Sequence, residues 1–397
     1  MNSLFERLLS TPEVMEALSD RHFVAAMLRF EAALVRAQAS ASLIPQAAAQ
    51  SIVGTCKVEL FDVQKLVREA GSARCVALPL VKSLRETVGL FNPEAERYVH
   101  FACGDQDLTD TALMLITRDA LDLIKTDLAS AVTTLLKLAA THANDPMLAR
   151  AALQPTSVTT FGLKCAQWAA PLQRAQQRLQ IAADNALSVQ LGGQIGTQAE
   201  MQGKGPLITA MMATELKLRA PTLPWLTQRD EWVALGCELA LIVGSLAKIA
   251  GDMTLMAQFE VDELASNADA AKVVLAAAQR VPQQIATLLG TMAQEHEGGL
   301  GNWQAALTEW PALLMSTHGA ARAMTQALVS LQVKPQSMLS NLEARRTSAA
   351  TREAATWFAP SLAQHAAELT RRHLQTTLRD AEIANVSFMA SAGGMQC

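Results

Sequence analysis

Apolar residues recur every three or four positions along most of this chain, which is the spacing of one face of a helix. The first such run starts at Ser19, a residue type that caps helices, and continues to about Ala41. A second helical region is predicted over about 47–70, and a third begins at Leu78. The N-terminal part of the chain is therefore predicted to be helical throughout.

The predicted helices become longer in the middle of the chain, and each carries apolar residues on more than one face. They are predicted at about 107–143, 159–187, 228–264 and 270–294. Because helices of this kind must be covered by other helices, the pattern predicts a bundle that is extended by oligomerisation. After Asn341 an amphipathic helical region is expected, followed by a shortened, partly disordered tail over 385–397.

These patterns predict three regions: an N-terminal helical domain over 1–106, a central long-helix bundle over 107–330 and a C-terminal helical region over 331–397. Half of the 397 residues are hydrophobic and only 4% are aromatic, which favours helices over sheets. The most apolar stretch, Val233–Met256, is interrupted by three charged residues, so we expect a buried helix and no membrane partner.

The charge and the cysteines exclude several classes of protein. The net charge is −4, and the sequence has no basic stripe that would bind nucleic acid. The six cysteines form no CxxC pair and no zinc-like spacing, so we expect reduced thiols in a cytoplasmic protein and no metal. The N-terminus lacks the apolar core of a signal peptide, and no motif for a cofactor is present.

The stretch His100–Leu115 reads HFACGDQDLTDTALML and combines an imidazole with two acids, Asp105 and Asp107, at a predicted helix start. It resembles the H-x-G-A-T-S-Q-D-x-x-D-T block of the 3-carboxy-cis,cis-muconate cycloisomerases, members of the fumarase/aspartase superfamily. Further blocks match this family in order and spacing at 19–40, 148–164, 190–205, 224–232 and 294–303. The resemblance covers roughly residues 4–341.

The departures from the family pattern are concentrated at positions that carry chemistry in the family. Gly104 and Asp105 replace a Thr-Ser pair that binds a substrate carboxylate, and an ionised Asp105 should repel a dicarboxylate. Further replacements are Ala151 and Ala152 in R-T-[HW]-L-Q, Leu226 in P-W-H-T-Q-R-D and Gly298 in E-H-E-R. Between Glu263 and Lys272 the serine-containing signature loop G-S-S-x-M-P-x-K-x-N-P is missing.

The resemblance implies an all-α, fumarase/aspartase-like fold with a long central helix bundle shared in a homotetramer, and active sites assembled from three chains. His100 and Asp105 are the candidate catalytic residues, since imidazole titrates near neutral pH and a buried carboxyl group could serve as an acid or base. The candidate substrate-binding residues are Gly104, Gln106, Gln154, Gln194, Lys204, Gln228, Arg229, His296 and Glu297.

Several of these residues also have an ordinary structural interpretation. His100 could equally be a framework histidine, and for Asp107 helix capping is favoured. Arg229 is favoured as part of an internal salt bridge with Asp230 or with an acid of a neighbouring subunit, and His296 and Glu297 as interface residues. Lys164 is expected to be structural or solvated, and Trp303 and Trp310 to be packing anchors.

Three hypotheses on function remain open. The first is a divergent cycloisomerase/lyase-like enzyme that acts on a small organic molecule in a specialised pathway, by cyclisation, isomerisation or elimination. It would not be an efficient 3-carboxymuconate cycloisomerase, and its small or apolar replacements would suit a bulkier, less anionic substrate. The second is a catalytically inactive relative that serves as a scaffold or partner subunit. The third is an ordinary 3-carboxy-cis,cis-muconate cycloisomerase whose signature loop is missing from this sequence.

Overall fold

The computed structural model describes the backbone of residues 5–393 and the side chains of residues 5–380. The described part is built from helices and four short strands, which confirms the all-α prediction. The helices are α1 (Pro12–Ala17), α2 (Asp20–Ser40), α3 (Gln46–Thr55), α4 (Val63–Ala73), α5 (Ala77–Phe91), α6 (Asp105–Thr141), α7 (Phe161–Ala186), α8 (Gly205–Leu216), α9 (Asp230–Met256), α10 (Ala268–Gly290), α11 (Asn302–Val329), α12 (Pro335–Thr347), α13 (Arg352–Thr356) and α14 (Ala363–Gly393). The strands are β1 (Pro146–Ala151), β2 (Gln154–Thr160), β3 (Leu264–Ala265) and β4 (Gln332–Val333).

Most predicted helices are present with small shifts at their ends. The Ser19 hydroxyl accepts a hydrogen bond from the backbone N–H of His22 at 3.2 Å, which caps α2 where the sequence predicted its start. The helical region predicted over about 47–70 consists of two helices, α3 and α4. The predicted helix over 228–264 is shorter, since α9 ends at Met256. The tail predicted over 385–397 continues α14 to Gly393, and its last four residues lie outside the described residues.

The chain forms two compact units, whose boundaries fall inside α6, α7, α9, α10 and α11. Unit 1 comprises Met1–Lys125, Gln177–Leu241 and Ala277–Gly319, and unit 2 comprises Thr126–Gln176, Ile242–Ala276 and Ala320–Cys397. The three regions predicted from the sequence stay a prediction.

In unit 1, α2 contacts α3, α4 and α8. Its apolar face buries Phe30 and Leu34 completely. Trp310 on α11 is also fully buried, as predicted, and its indole N–H donates to the Thr117 hydroxyl at 2.7 Å. Burial of these large side chains supplies the main stabilisation of this unit.

In unit 2, β1 and β2 form an antiparallel hairpin that packs against α12 and α14. Leu148 of β1, Leu342 of α12 and Phe358 form a small buried cluster beneath the hairpin. The short strands β3 and β4 pair Leu264 with Val333. The hairpin lies in a segment for which the sequence pattern predicted no strand.

Helix α9 is long and apolar enough to cross a membrane by length and composition, and half of its most apolar window is buried. A single helix of this kind is weak evidence for a membrane span, since buried core helices pass the same test. Two of its acids form ion pairs, Glu238 with Arg178 at 2.9 Å and Asp252 with Lys164 at 3.6 Å. The interpretation as a core helix stays a prediction.

Candidate active site

The loop over residues 99–103 precedes α6 in unit 1 and carries His100 in an unusual backbone conformation. His100 and Ala102 both have positive φ angles, +57° and +55°, which residues other than glycine rarely adopt. Two side chains hold this loop: the Arg85 guanidinium donates to the Val99 carbonyl at 3.2 Å, and the Gln38 amide donates to the Phe101 carbonyl at 2.7 Å. Such strain persists only where surrounding contacts impose it, and it is common at functional sites.

The imidazole of His100 is buried between two carboxylates. Its Nδ1 lies 2.6 Å from Oε1 of Glu31, and its Nε2 lies 3.7 Å from Oδ1 of Asp105. Burial alone would lower the pKa of His100, but the charge and hydrogen bond of Glu31 raise it above the ordinary value, and the charges of Asp105 and Asp107 add to this. The neighbouring carboxylates therefore favour the charged form of the ring, which can donate a proton.

Asp105 is the first residue of α6, and 37% of its side chain is exposed. The acid/base role predicted for it was conditional on burial, and this condition is not met. Its second oxygen lies 3.5 Å from the thiol sulfur of Cys75. Asp105 thus stands at the open side of the site, with His100 behind it.

Asp107 is fully buried and organises the glycine-rich segment that follows α7. Its carboxylate accepts backbone N–H bonds from Gly104 at 3.0 Å and from Gly192 and Gly193 at 2.8 Å each, as well as the Gln190 amide at 2.9 Å. Burial raises its pKa, although the four hydrogen bonds oppose this. The structural role favoured for Asp107 therefore includes capping and fixing the loop next to the site.

Gln106 and Leu226 lie together beside this glycine-rich segment. The Gln106 amide donates to the Leu226 carbonyl at 2.7 Å, so Gln106 serves as a tether in the described chain. The Leu226 side chain is buried, and a Cβ atom on Gly196 would lie 3.1 Å from its Cδ1. An aliphatic side chain thus fills the place where the family pattern has a histidine.

Arg229 forms the internal salt bridge that the sequence favoured, but with a different partner. Its guanidinium donates at 2.8 Å to the carboxylate of Asp110, which lies on α6, instead of pairing with Asp230. It is 2% exposed and stacks on Trp225 and Trp232, with its Cζ 4.8 and 5.4 Å from the ring centroids. The indole of Trp303 donates to the other Asp110 oxygen at 2.9 Å. Arg229 is therefore buried and paired with Asp110, while its Nε and Nη1 have no hydrogen-bond partner among the described residues, and its role in substrate binding stays a prediction.

The remaining predicted binding residues of unit 1 are dispersed. Gln194 and Gln228 are exposed, and Gln228 lines a cavity of about 160 Å³ with Trp225. Lys204 donates to the Ser42 carbonyl at 3.1 Å. His296 and Glu297 are exposed in a turn between α10 and α11.

Unit 2 carries Gln154, which is exposed at the start of β2. The preceding Arg150 forms two hydrogen bonds with the fully buried Glu263, at 2.7 and 2.8 Å. Sequence reasoning missed this pair, because Glu263 was considered only as the boundary of the missing loop. After Glu263, β3 follows directly, and α10 is capped by Asn267, whose side chain accepts the Asp269 N–H at 3.0 Å.

A cavity of about 450 Å³ lies in unit 2, and its lining includes Ala152, Lys164 and Asp252. Lys164 lies 3.6 Å from Asp252, whose carboxylate also accepts the Trp168 indole N–H at 2.9 Å. The carboxylate of Asp252 is shared between Lys164 and Lys248. The lining also includes Arg150 and Gln258, and the rest of it is apolar: Leu148, Leu153, Leu255, Met256 and Val261.

Among the described residues, no group of three His, Cys, Asp or Glu side chains could hold a metal ion. The five described cysteines are free thiols, and Cys397 lies outside the described residues.

Comparisons with known proteins agree with the fold and the motif. The model of a family described as lyase matches residues 7–272. The 3-carboxy-cis,cis-muconate cycloisomerase of Pseudomonas putida is 37% identical over 358 residues, which cover 86% of this chain and 85% of that enzyme. The nitrosuccinate lyase of Streptomyces davaonensis is 34% identical over 402 residues, which cover 94% of this chain and 84% of that enzyme.

A solved structure extends the likeness to three dimensions. The β-carboxy-cis,cis-muconate cycloisomerase from Acinetobacter calcoaceticus matches with a TM-score of 0.85 at 31% identity, covering 96% of this chain and 89% of that one. The chain therefore belongs to the lyase family, with the fold of the fumarase/aspartase superfamily. Within it, the chain is similar to the 3-carboxy-cis,cis-muconate cycloisomerases, and the predicted family is confirmed.

Proposed function

We propose that this chain is a divergent cycloisomerase/lyase-like enzyme, independent of any cofactor, that acts on a small organic molecule in the cytoplasm. Its relatives are cycloisomerases and lyases that act on small organic molecules. The reaction would be a cyclisation, isomerisation or elimination in a specialised pathway. We further propose that it is not an efficient 3-carboxymuconate cycloisomerase.

The observation that carries this proposal is the arrangement of His100. Its Nε2 is buried, has no hydrogen-bond partner among the described residues and faces Asp105 at 3.7 Å. A charged imidazole in this position can deliver a proton to carbon as an oxygen nucleophile adds across the double bond. In the reverse elimination the neutral imidazole removes that proton and the C–O bond breaks. A buried polar atom without a partner is uncommon in folded proteins, which favours a functional role for this nitrogen over a framework role.

The replaced positions support a changed substrate. Ala152, where the family pattern has histidine or tryptophan, lines the 450 Å³ cavity of unit 2. Its mainly apolar lining suits a ligand that is bulkier and less anionic than a tricarboxylate. The resemblance implies sites assembled from three chains, so we propose that a homotetramer completes the site around His100 and Asp105.

The proposal is tested by native mass spectrometry of the purified protein with and without a metabolite extract of the producing organism. We expect a tetramer that retains a small molecule, and loss of this ligand in His100→Ala and Asp105→Asn. His22→Ala is a matched control, since His22 also pairs with a carboxylate, Asp119, at 2.9 Å but is partly exposed.

A parallel assay follows 3-carboxy-cis,cis-muconate by the loss of its diene absorbance. Turnover at the rate of a family enzyme would overturn the divergent assignment and favour an ordinary cycloisomerase. A tetramer that captures nothing and converts nothing would favour the inactive relative instead.

A further inference from the structure

Glu31 is a buried acid that the proposed reaction does not explain. It lies on α2 between Phe30 and Ala32, and its side chain has no exposed surface. One oxygen contacts His100, and the other, Oε2, has no hydrogen-bond partner among the described residues. A buried, half-satisfied carboxylate is costly, and an apolar residue would suit this position of α2 better.

We infer that Glu31 is the positioning residue of the candidate active site. By accepting the Nδ1–H of His100 at 2.6 Å, it fixes the ring so that Nε2 faces Asp105, and it keeps the ring charged. This inference rests on the proposed role of His100 as the proton donor.

The geometry leaves the ring little choice of protonation. Since the carboxylate of Glu31 can only accept, Nδ1 must carry a hydrogen. A second proton on Nε2 then points to the oxygen of Asp105 at 3.7 Å. A carboxylate behind a histidine acts in this way in many sites, where it sets both the tautomer and the basicity of the ring.

The charges around the ring come from three elements. Glu31 faces it from α2, and Asp105 and Asp107 face it from the start of α6. Arg85 of α5 adds a positive charge near the Val99 carbonyl of the same loop. The thiols of Cys56, Cys75 and Cys103 lie near these carboxylates, and burial raises the pKa of each one, so they remain neutral at physiological pH.

One consequence concerns the ligand. Because a charged His100 lies behind Asp105, it offsets the repulsion that this acid alone would exert on an anionic group. The charged ring offsets only one of the two carboxylates that face it, so Glu31, His100 and Asp105 together keep one negative charge.

The pair of Glu31 and His100 also determines how the stability of the protein depends on pH. Because the pKa of His100 is raised above 6.5 in the fold, its contribution to stability is present below pH 6.5 and is lost as the pH rises through the folded pKa. In Glu31→Gln the amide oxygen can still accept a hydrogen bond from Nδ1, but the negative charge of Glu31 is gone. Burial then has the larger effect on the pKa of His100 and lowers it. The pH dependence of stability then has the opposite sign. The contribution of His100 to stability is lost as the pH falls below the pKa of this histidine in the unfolded chain.

The test is a titration of His100 in the full-length protein, labelled with ¹³C at histidine Cε1. The His100 signal is assigned by its absence in His100→Ala. We expect its midpoint above 6.5 in the wild type and below 6.5 in Glu31→Gln. Asp119→Asn, which removes the partly exposed partner of His22, is the control and should leave the His100 midpoint unchanged.

An unchanged His100 midpoint in Glu31→Gln would overturn the inference. If Glu31→Gln does not fold, a His100 midpoint below 6.5 in the wild type would overturn the inference by itself. A wild-type midpoint above 6.5 that falls in Glu31→Asp would support the inference. If the His100 midpoint shifts in Glu31→Gln but the protein binds no ligand and converts no substrate, the positioning role of Glu31 is retained and the proposed function is overturned. Failure of the inference and failure of the proposed function are therefore distinguishable.

Discussion

Gly104 is the residue at which the candidate site departs most directly from its family pattern, and its surroundings leave no room for a side chain. A Cβ atom at this position would lie 2.8 Å from the carbonyl oxygen of Gly193. This distance is shorter than van der Waals contact, and the neighbour is backbone that Asp107 holds through the Gly193 N–H. The hydroxyl side chain of the family pattern is thus excluded by the glycine-rich segment itself.

We expect Gly104→Ala to destabilise the protein by about 1–3 kcal/mol, because the Gly193 backbone has to shift. Gly71→Ala is the matched control, since nothing lies within 4 Å of its Cβ position in α4. There the change should stabilise the helix by about 0.5–1 kcal/mol. Thermal unfolding of both variants checks the pair, and equal effects would contradict the packing argument.

At the residue scale, the motif predicts that His100 and Asp105 lie close together because they are within six positions of each other, and their side chains are 3.7 Å apart. Glu31 could not be assigned from the motif, since it lies 69 positions upstream of His100. Its signal was a single acid within the apolar run of α2, at a position where the helix buries its neighbours. The partner of Arg229 was missed because Asp110 is distant in sequence, whereas Asp230 is adjacent.

At the scale of elements, the hairpin β1–β2 turns through Ala152 and Leu153, whose φ angles are +49° and +62°. A two-residue turn with both φ angles positive is the type that normally contains Asn-Gly. Neither alanine nor leucine favours this conformation, which costs roughly 1–2 kcal/mol per residue. The sequence therefore carried no turn signal, and the hairpin was not predicted.

We expect the double change Ala152→Asn and Leu153→Gly to raise the free energy of unfolding by about 1–2 kcal/mol, because it relieves this conformation. Leu153→Ala is the control, since it removes an exposed side chain but keeps a residue that disfavours positive φ. Chemical denaturation measures both variants, and a gain in the control alone would point to the exposed leucine instead.

The pair of Arg150 and Glu263 connects β1 to the segment before β3, where the signature loop of the family is missing. Glu263 also accepts the Asn341 amide of α12 at 3.1 Å, so three elements meet at one buried carboxylate. The arginine retained from the family motif thus has a structural role here.

We expect Glu263→Gln to cost about 3–5 kcal/mol, because it leaves the Arg150 charge without its partner. Lys272→Ala removes an exposed ion pair with Asp269 and should cost under about 1 kcal/mol. Thermal and denaturant unfolding of both variants decides this, and a loss in Glu263→Gln no larger than in the control would contradict a buried, structural pair.

On the scale of the whole molecule, the long helices expose apolar side chains that a single chain does not cover. In unit 1, Ile181 of α7 is 63% exposed and Leu241 of α9 is 52% exposed, and the same helices are joined by the ion pair of Arg178 and Glu238. Exposed apolar residues on a central helix are typical of an interface between subunits. The predicted tetramer would cover these side chains, and it stays a prediction.

We expect Ile181→Glu to lower the sedimenting mass from that of a tetramer, because it places a charge in an apolar interface. Leu90→Glu is the control, since Leu90 is 83% exposed near the end of α5, outside the central helices. Analytical ultracentrifugation compares the two, and an unchanged mass in Ile181→Glu would contradict an interface at this face.

The buried pair of Glu31 and His100 has a consequence for how this lineage can change. Losing either residue alone leaves an uncompensated polar group in the core, whereas replacing both by apolar residues can be neutral or favourable. We expect the two positions to be energetically coupled, so that replacing both costs less stability than the sum of the two single replacements. An evolutionary change at one position would then make a change at the other less costly.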